Sequence, residues 1–159
     1  MTSKRISVTV SSGVAIALGM AGLGAALADD QYASQIGART AQFKLLAFNI
    51  GPLAGMAQGN IEYDAAVAQT AADNLATVAS VHQDRMWPEG SDNASHTGTR
   101  ALPSIWANID DFQAKLADLR TATLALQASA GTGLDGVRSG LRGVGQACSA
   151  CHEDYREPQ

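Results

Sequence analysis

Near its C-terminal end the chain sets Leu134, Val137, Leu141, Val144, Cys148 and Cys151 at separations of 3, 4, 3, 4 and 3 residues. On an α-helix that alternation brings all six side chains onto one inward face at heptad spacing. The seam ends in the only two cysteines of the chain, at core positions. A helix of this kind needs other apolar helical faces to cover it.

Three more stretches supply such faces. A first helix is expected from about Gln31 to Ala57, with Ile36, Phe43, Ile50 and Ala57 at sevenfold spacing and Leu46 and Leu53 on the neighbouring ridge. Gly51-Pro52 predicts a kink within it rather than a break, because proline removes a donor and crowds the preceding turn. Gly59-Asn60 closes it. A second helix begins near Tyr63 or Asp64, carries Val67, Ala71, Leu75, Val78 and His82 inward, and stops before Pro88. Between Met86 and Pro103, MWPEGSDNASHTGTRALP is dense in turn formers and reads as a long loop. Ser104 can then cap a third helix with Ile105, Ile109, Phe112, Leu116, Leu119 and Leu126 inward, fraying near SAGTG. No stretch reads as a convincing strand and none repeats. Four amphipathic helices joined by two short turns and one longer loop predict an all-α, antiparallel up-down-up-down four-helix bundle. Its small side chains leave room inside.

The first 28 residues read as a cleavable signal peptide: a basic start at Lys4 and Arg5, an apolar run from Gly13 to Leu27, and small residues at Ala26 and Ala28. The run is short of the ~20 apolar residues a spanning helix requires, so no membrane anchor is expected. The mature domain is then 29–159, located in the periplasm. Cleavage removes Lys4 and Arg5 and no acid, taking the formal charge from −4 to −6. That sign argues against nucleic acid or anionic lipid as a partner. Export also puts both cysteines in an oxidising compartment, where a free thiol pair does not readily persist.

Cys148-Ser149-Ala150-Cys151-His152 admits three readings. A disulfide is awkward between residues i and i+3 of a helix, and redox pairs usually follow a strand. A closed zinc site wants four ligands, and His82 and His96 stand far off without ligand-like spacing. Covalent haem attachment agrees with spacing, order and compartment: two thiols on one helical face add to two vinyl groups, and His152 turns its imidazole to the iron. Arg156, four residues further on, lies on the face of His152 and can reach the proximal pocket, or stand exposed at the helix end.

With CSACHEDYR close to the C-terminus of an exported four-helix chain, the sequence resembles cytochrome c′, the class II c-type cytochromes. SQIGARTAQFKLLAFNIG in the first helix and IWANIDDFQAKLADL in the third extend the resemblance over essentially the whole mature chain. It implies one haem c held through Cys148 and Cys151 with His152 on the iron, Arg39 near the haem propionates, Phe43 over the distal face, and support for Arg156 on the proximal side; by the residues alone Phe43 is equally a plain core residue and Arg39 a solvated surface charge. Phenylalanine cannot bind iron, and the nearest mature methionine, Met56, lies well beyond Phe43. Five-coordinate, high-spin iron is therefore expected. Lys44, His82 and His96 are weaker candidates for a stray ligand.

An apolar cover that donates no hydrogen bond favours NO and CO over dioxygen. The resemblance implies a periplasmic protein that binds and sequesters nitric oxide, with one-electron transfer to a redox partner as the alternative. Peroxidase chemistry needs a distal acid-base residue, which the region around Phe43 lacks, so no enzyme is expected. A homodimer through the first two helices is also implied.

Overall fold

In the computed structural model, which describes residues 31–158, the chain forms α1 (Ala33–Gln58), α2 (Ala65–Ala79), a single-turn α3 (Ser104–Ala107), α4 (Ile109–Ser129) and α5 (Leu134–Tyr155), with a 3₁₀ turn at Ala130–Thr132. The expected leader, residues 1–28, lies outside the described residues. The four long helices make the bundle: α1 packs on α2, α2 on α4, α4 on α5, and α5 closes the ring on α1. Arg138 Nε, near the start of α5, donates to the carbonyl of Ala57 at the end of α1, so these two helices run antiparallel. None of the described helices is long and apolar enough to cross a membrane.

Local chemistry sets the boundaries. Helix α1 runs through Pro52 without a break and ends at Gly59, whose φ of 77° belongs to the left-handed region glycine tolerates; Asn60 N–H then reaches back to Gly55 O. Asp64 caps α2, its Oδ1 accepting from the amides of Ala66 and Val67 at 2.8 and 3.0 Å. That helix stops at Ala79, earlier than its apolar period predicts. Ser80 donates its hydroxyl to Ala76 O, and the chain turns away so that Val81 and His82 are exposed. Small residues line the inner face of α2, with Ala68, Ala71, Ala72, Leu75, Ala76 and Ala79 buried and Val67 turned out to solvent.

The expected third helix is broken at Asn108, whose φ of −135° and ψ of 48° are not helical and whose amide donates to Ser104 O. Ser104 does not cap it: its hydroxyl donates to Asp154 O, tying α3 to the end of α5. The seam of α5 holds as read, with Val137 and Val144 buried and Leu134, Leu141 and Cys148 packed on the main core. Glycine lets α5 approach α4: a Cβ at Gly140 would lie 2.6 Å from Leu126 Cδ1 and 2.8 Å from its Cα. A second, smaller cluster of Ala101, Ile105, Phe112 and Tyr155, with Trp87, Trp106, Leu116 and Cys151 against it, fills the end of the bundle where the thiols sit.

Helix α1 departs most from its apolar reading. Its deepest line is Ile36, Arg39, Gln42, Leu46, Asn49, Leu53 and Met56, while Phe43, Ile50 and Ala57 flank it half-buried. The three polar members are buried because each has partners. Gln42 donates to Val78 O, Asn49 donates to Leu45 O and accepts from Asn74, and Arg39 is bonded to the long loop.

Candidate haem-attachment site

The last two turns of α5 present Cys148, Cys151 and His152. One helical turn separates the cysteines, and both are free, half-buried thiols: Cys148 faces the main core and Cys151 the aromatic end cluster. Burial pushes the Cys148 thiol up, Arg156 opposing it, and pushes Cys151 up to about 11, with Lys115 opposing. At neutral pH both are therefore thiols, not thiolates. Burial, then the positive fields of Arg156 and Arg100, push His152 down, which keeps its imidazole neutral and its lone pair available. Arg156 Nη1 lies 3.4 Å from His152 Nε2, so the two come together as the i,i+4 spacing predicts. This donor set suits haem c: S–H addition across a vinyl double bond needs no oxidant, and a neutral imidazole is an iron ligand.

Around these groups Lys115 bridges Asp154 at 3.2 Å and Asp111 at 3.8 Å, and Tyr155 donates its phenol to Asp111 at 2.6 Å. From Tyr155 a run of edge-on aromatic contacts crosses the bundle end. Ring centroids are 5.4 Å apart for Tyr155 and Phe112, 4.7 Å for Phe112 and Trp87, and 6.3 Å for Trp87 and Phe43. Phe43 on α1 and Cys151 on α5 thus both border the small aromatic cluster, the first through Trp87 and the second directly.

Arg39 is not a solvated surface charge. Only 2% exposed, it donates to Met86 O, to Ser91 Oγ and O, and to Thr99 Oγ1, and its guanidinium lies 4.4 Å from the Trp87 ring centroid. Burial lowers its pKa to about 10, Asp92 working the other way, so it stays a cation at neutral pH. One turn before Phe43, it ties the long loop to the site.

The alternative iron ligands are dispersed. Met56 is buried in the main core beside the Ala57–Arg138 contact; at ~1.5 Å per residue of α5, Arg138 and His152 are about 21 Å apart. His82 is exposed in an outer groove with Ser34, Gln35 and Arg85, and Lys44 lines another with Thr97 and Gly98. His96 is buried edge-on to Tyr32, two turns of α1 before Arg39. Among the described residues no three His, Cys, Asp or Glu side chains are grouped to hold a metal ion by themselves.

Sequence reasoning missed Trp87, which joins Phe43, Arg39 and Phe112. Its signal was a tryptophan inside a stretch otherwise made of turn formers: so large an apolar surface is seldom left in water.

The family model of cytochrome c′ matches residues 34–156, all four long helices and the thiol pair. The chain belongs to the cytochrome c′ family. Cytochrome c-554 of Cereibacter sphaeroides is 42% identical over 113 residues, 71% of this chain and 85% of that protein. Cytochrome c′ of the same species is 36% identical over 143 residues, 90% and 96% of the two chains. The solved structure of cytochrome c′ from Rhodobacter spheriodes superposes with a TM-score of 0.77 at 35% identity, covering 79% of this chain and 97% of that one. Among further cytochrome c′ structures, one with ligand-controlled dimer dissociation has a TM-score of 0.72 at 28% identity, covering 79% and 95%. A nitric oxide complex of a variant from Alcaligenes xylosoxidans has 0.69 at 26%, covering 79% and 95%. The cofactor of the cytochrome c′ family is haem c, and the Cys148–His152 motif matches the attachment it requires.

Proposed function

We propose that this cytochrome c′ carries one haem through thioethers from Cys148 and Cys151, with His152 on the iron, and that it binds nitric oxide and carbon monoxide in the periplasm. The observation that carries the reading is that Phe43 meets Trp87, which packs with Cys151 on the aromatic cluster at the thiol end of the bundle. Phe43 backed by Trp87 supplies no ligand, and Met56, His82 and Lys44 lie elsewhere in the fold. The nitric oxide complex of a family member supports it.

Bound haem supplies an iron that cycles between ferrous and ferric states and takes a diatomic ligand when its sixth position is open. The chain does the rest. Cys148 and Cys151 would hold the group on α5, their S–H groups being able to add across its vinyl double bonds without an oxidant. His152 would give its lone pair to the iron, and burial, then Arg156 at 3.4 Å, keep that imidazole neutral. Phe43 excludes water and donates nothing, which lowers the advantage of polarised dioxygen. Arg39, the one buried guanidinium among the described residues, would supply positive charge near the propionates. Nothing in the Phe43–Trp87 pair handles protons, so the role is binding and sequestration rather than turnover.

The test is an optical spectrum of the purified protein, ferric and then reduced, with and without NO and CO. High-spin ferrous bands that shift with either gas are expected. A low-spin spectrum indifferent to both would refute the open site and favour the alternative, one-electron transfer to a redox partner. Export with cleavage after Ala28 is checked by the N-terminal mass of the secreted protein.

A homodimer is the second part of the proposal. Helix α1 carries only two charges in 26 residues, buried Arg39 and exposed Lys44, and it turns out Leu45 at 52% and Phe48 at 76% exposure. With Val67 of α2 at 46%, the α1–α2 side is apolar where α4 and α5 are charged, and it suits the same surface of a second copy. Sedimentation analysis gives the mass.

A further inference from the structure

Trp87 belongs to the loop by composition, yet the structure holds it on several sides. The Arg39 guanidinium lies 4.4 Å from its ring centroid. Its indole N–H donates to Gln83 Oε1 at 2.9 Å, and its carbonyl accepts from Trp106 Nε1 at 3.1 Å. Phe112 meets its ring with centroids 4.7 Å apart and an interplanar angle of 70°. The remaining aromatic contact of Trp87 is Phe43, at 6.3 Å and 65°. Arg39 and Phe43 stand one turn apart on α1, so the helix that carries Phe43 also carries the cation that fixes its neighbour. Arg39 is immobile in turn, its terminal nitrogens committed to Met86 O, Ser91 Oγ and O, and Thr99 Oγ1.

We propose that Trp87, clamped by Arg39, is a positioning residue that sets how readily Phe43 yields to an incoming diatomic ligand. The inference rests on the gas-binding reading above. A phenylalanine in a soft aliphatic wall swings aside at little cost. Here the edge contact with an indole that cannot retreat stabilises the closed position of Phe43, and that contact is lost when Phe43 moves. The loop from Val81 to Pro103 is thereby part of the entry barrier, although neither Trp87 nor Arg39 touches the ligand.

The experiment is flash photolysis of the CO complex of the ferrous protein, with amide hydrogen exchange of residues 81–103 read on the same variants without gas. Trp87→Leu is expected to speed CO association by about 2- to 12-fold, the range an aromatic edge contact is worth. Trp87→Phe, which keeps an aromatic edge, stays within about twofold of the natural protein. In a Phe43→Ala background, Trp87→Leu adds nothing further, since the group it positions is gone. Arg39→Gln, which frees the indole face, raises both amide exchange in the loop and the CO rate. If Trp87→Leu does not fold, Gln83→Ala, which releases only the indole N–H, moves the rate the same way by a smaller factor.

Equal CO rates in the natural protein, Trp87→Leu and Gln83→Ala overturn the inference and leave gas binding standing. So does a Trp87→Leu effect undiminished in the Phe43→Ala background, or unchanged loop exchange in Arg39→Gln. Failure of both the natural protein and Phe43→Ala to bind CO overturns the gas-binding reading, and this inference with it.

Discussion

Two glycines of α5, three residues apart, are expected to respond in opposite directions to the same substitution. A helix-interior Gly→Ala exchange is by itself stabilising by about 0.8–1.0 kcal/mol, because alanine loses less backbone freedom on folding. At Gly143 nothing lies within 4 Å of the added Cβ, so Gly143→Ala gains this full amount. At Gly140 the Cβ falls 2.6 Å from Leu126 Cδ1, 2.8 Å from its Cα and 2.9 Å from its Cβ. Leu126 is fully buried, and two of those atoms cannot be moved by a rotamer change, so α4 and α5 must separate. Overpacking of a tight core costs about 1–3 kcal/mol, and contact with backbone belongs at the upper end. Subtracting the propensity gain leaves Gly140→Ala about 2 kcal/mol less stable than the natural protein and about 3 kcal/mol less stable than Gly143→Ala. At about 4 °C per kcal/mol for a domain of this size, Tm rises by about 4 °C in one variant and falls by about 8 °C in the other. Thermal and denaturant unfolding of the haem-loaded protein measure both shifts. Equal stabilisation of the two variants would refute the close α4–α5 approach at Gly140.

Three other outcomes are expected. Phe43→Met sets a sulfur at the proposed distal cover, and the absorption spectrum should become low-spin in both oxidation states and lose its response to CO; an unchanged high-spin spectrum would mean that position 43 does not face the iron. Phe48→Asp, at a site 76% exposed, should dissociate the dimer in sedimentation analysis while spectrum and melting of the haem site stay as they were. The hydrogen bond to Asp111, then burial, hold the Tyr155 phenol up at about 12, above its usual 10.0, so it is raised in the folded state. Its contribution to stability is complete below the unfolded value of about pH 10 and is lost as pH rises through about 12. Tyr155→Phe should remove that alkaline loss from the pH profile of unfolding; a profile unchanged by the substitution would contradict the Tyr155–Asp111 bond.

The α5 seam and the thiol pair were legible because heptad spacing is itself a statement about burial. Val137 and Val144 are buried where the pattern puts them, and Cys148 and His152 follow by register. The same rule failed at His82, which keeps the period of α2 after the chain has turned at Ser80, since periodicity does not sense a serine returning its hydroxyl to Ala76 O. It also failed at Arg39, Gln42 and Asn49, which an apolar template reads as outward. Their burial depends on partners brought from elsewhere in the chain: Ser91 and Thr99 for Arg39, Val78 for Gln42, Asn74 for Asn49. Met86 and Ser91 for Arg39 and Val78 for Gln42 accept through backbone carbonyls, and a carbonyl belongs to every residue type, so no residue pattern encodes which one will be the acceptor. This is why the long loop read as a connector while the structure makes it a wall of the site. Arg39 can be buried only because the loop supplies acceptors, and the loop is ordered at Ser91 and Thr99 because a guanidinium is there to donate. Each half of that arrangement is unfavourable alone, so the ring edge that backs Phe43 is as firm as the pairing between one helix residue and a loop more than 40 residues away in sequence.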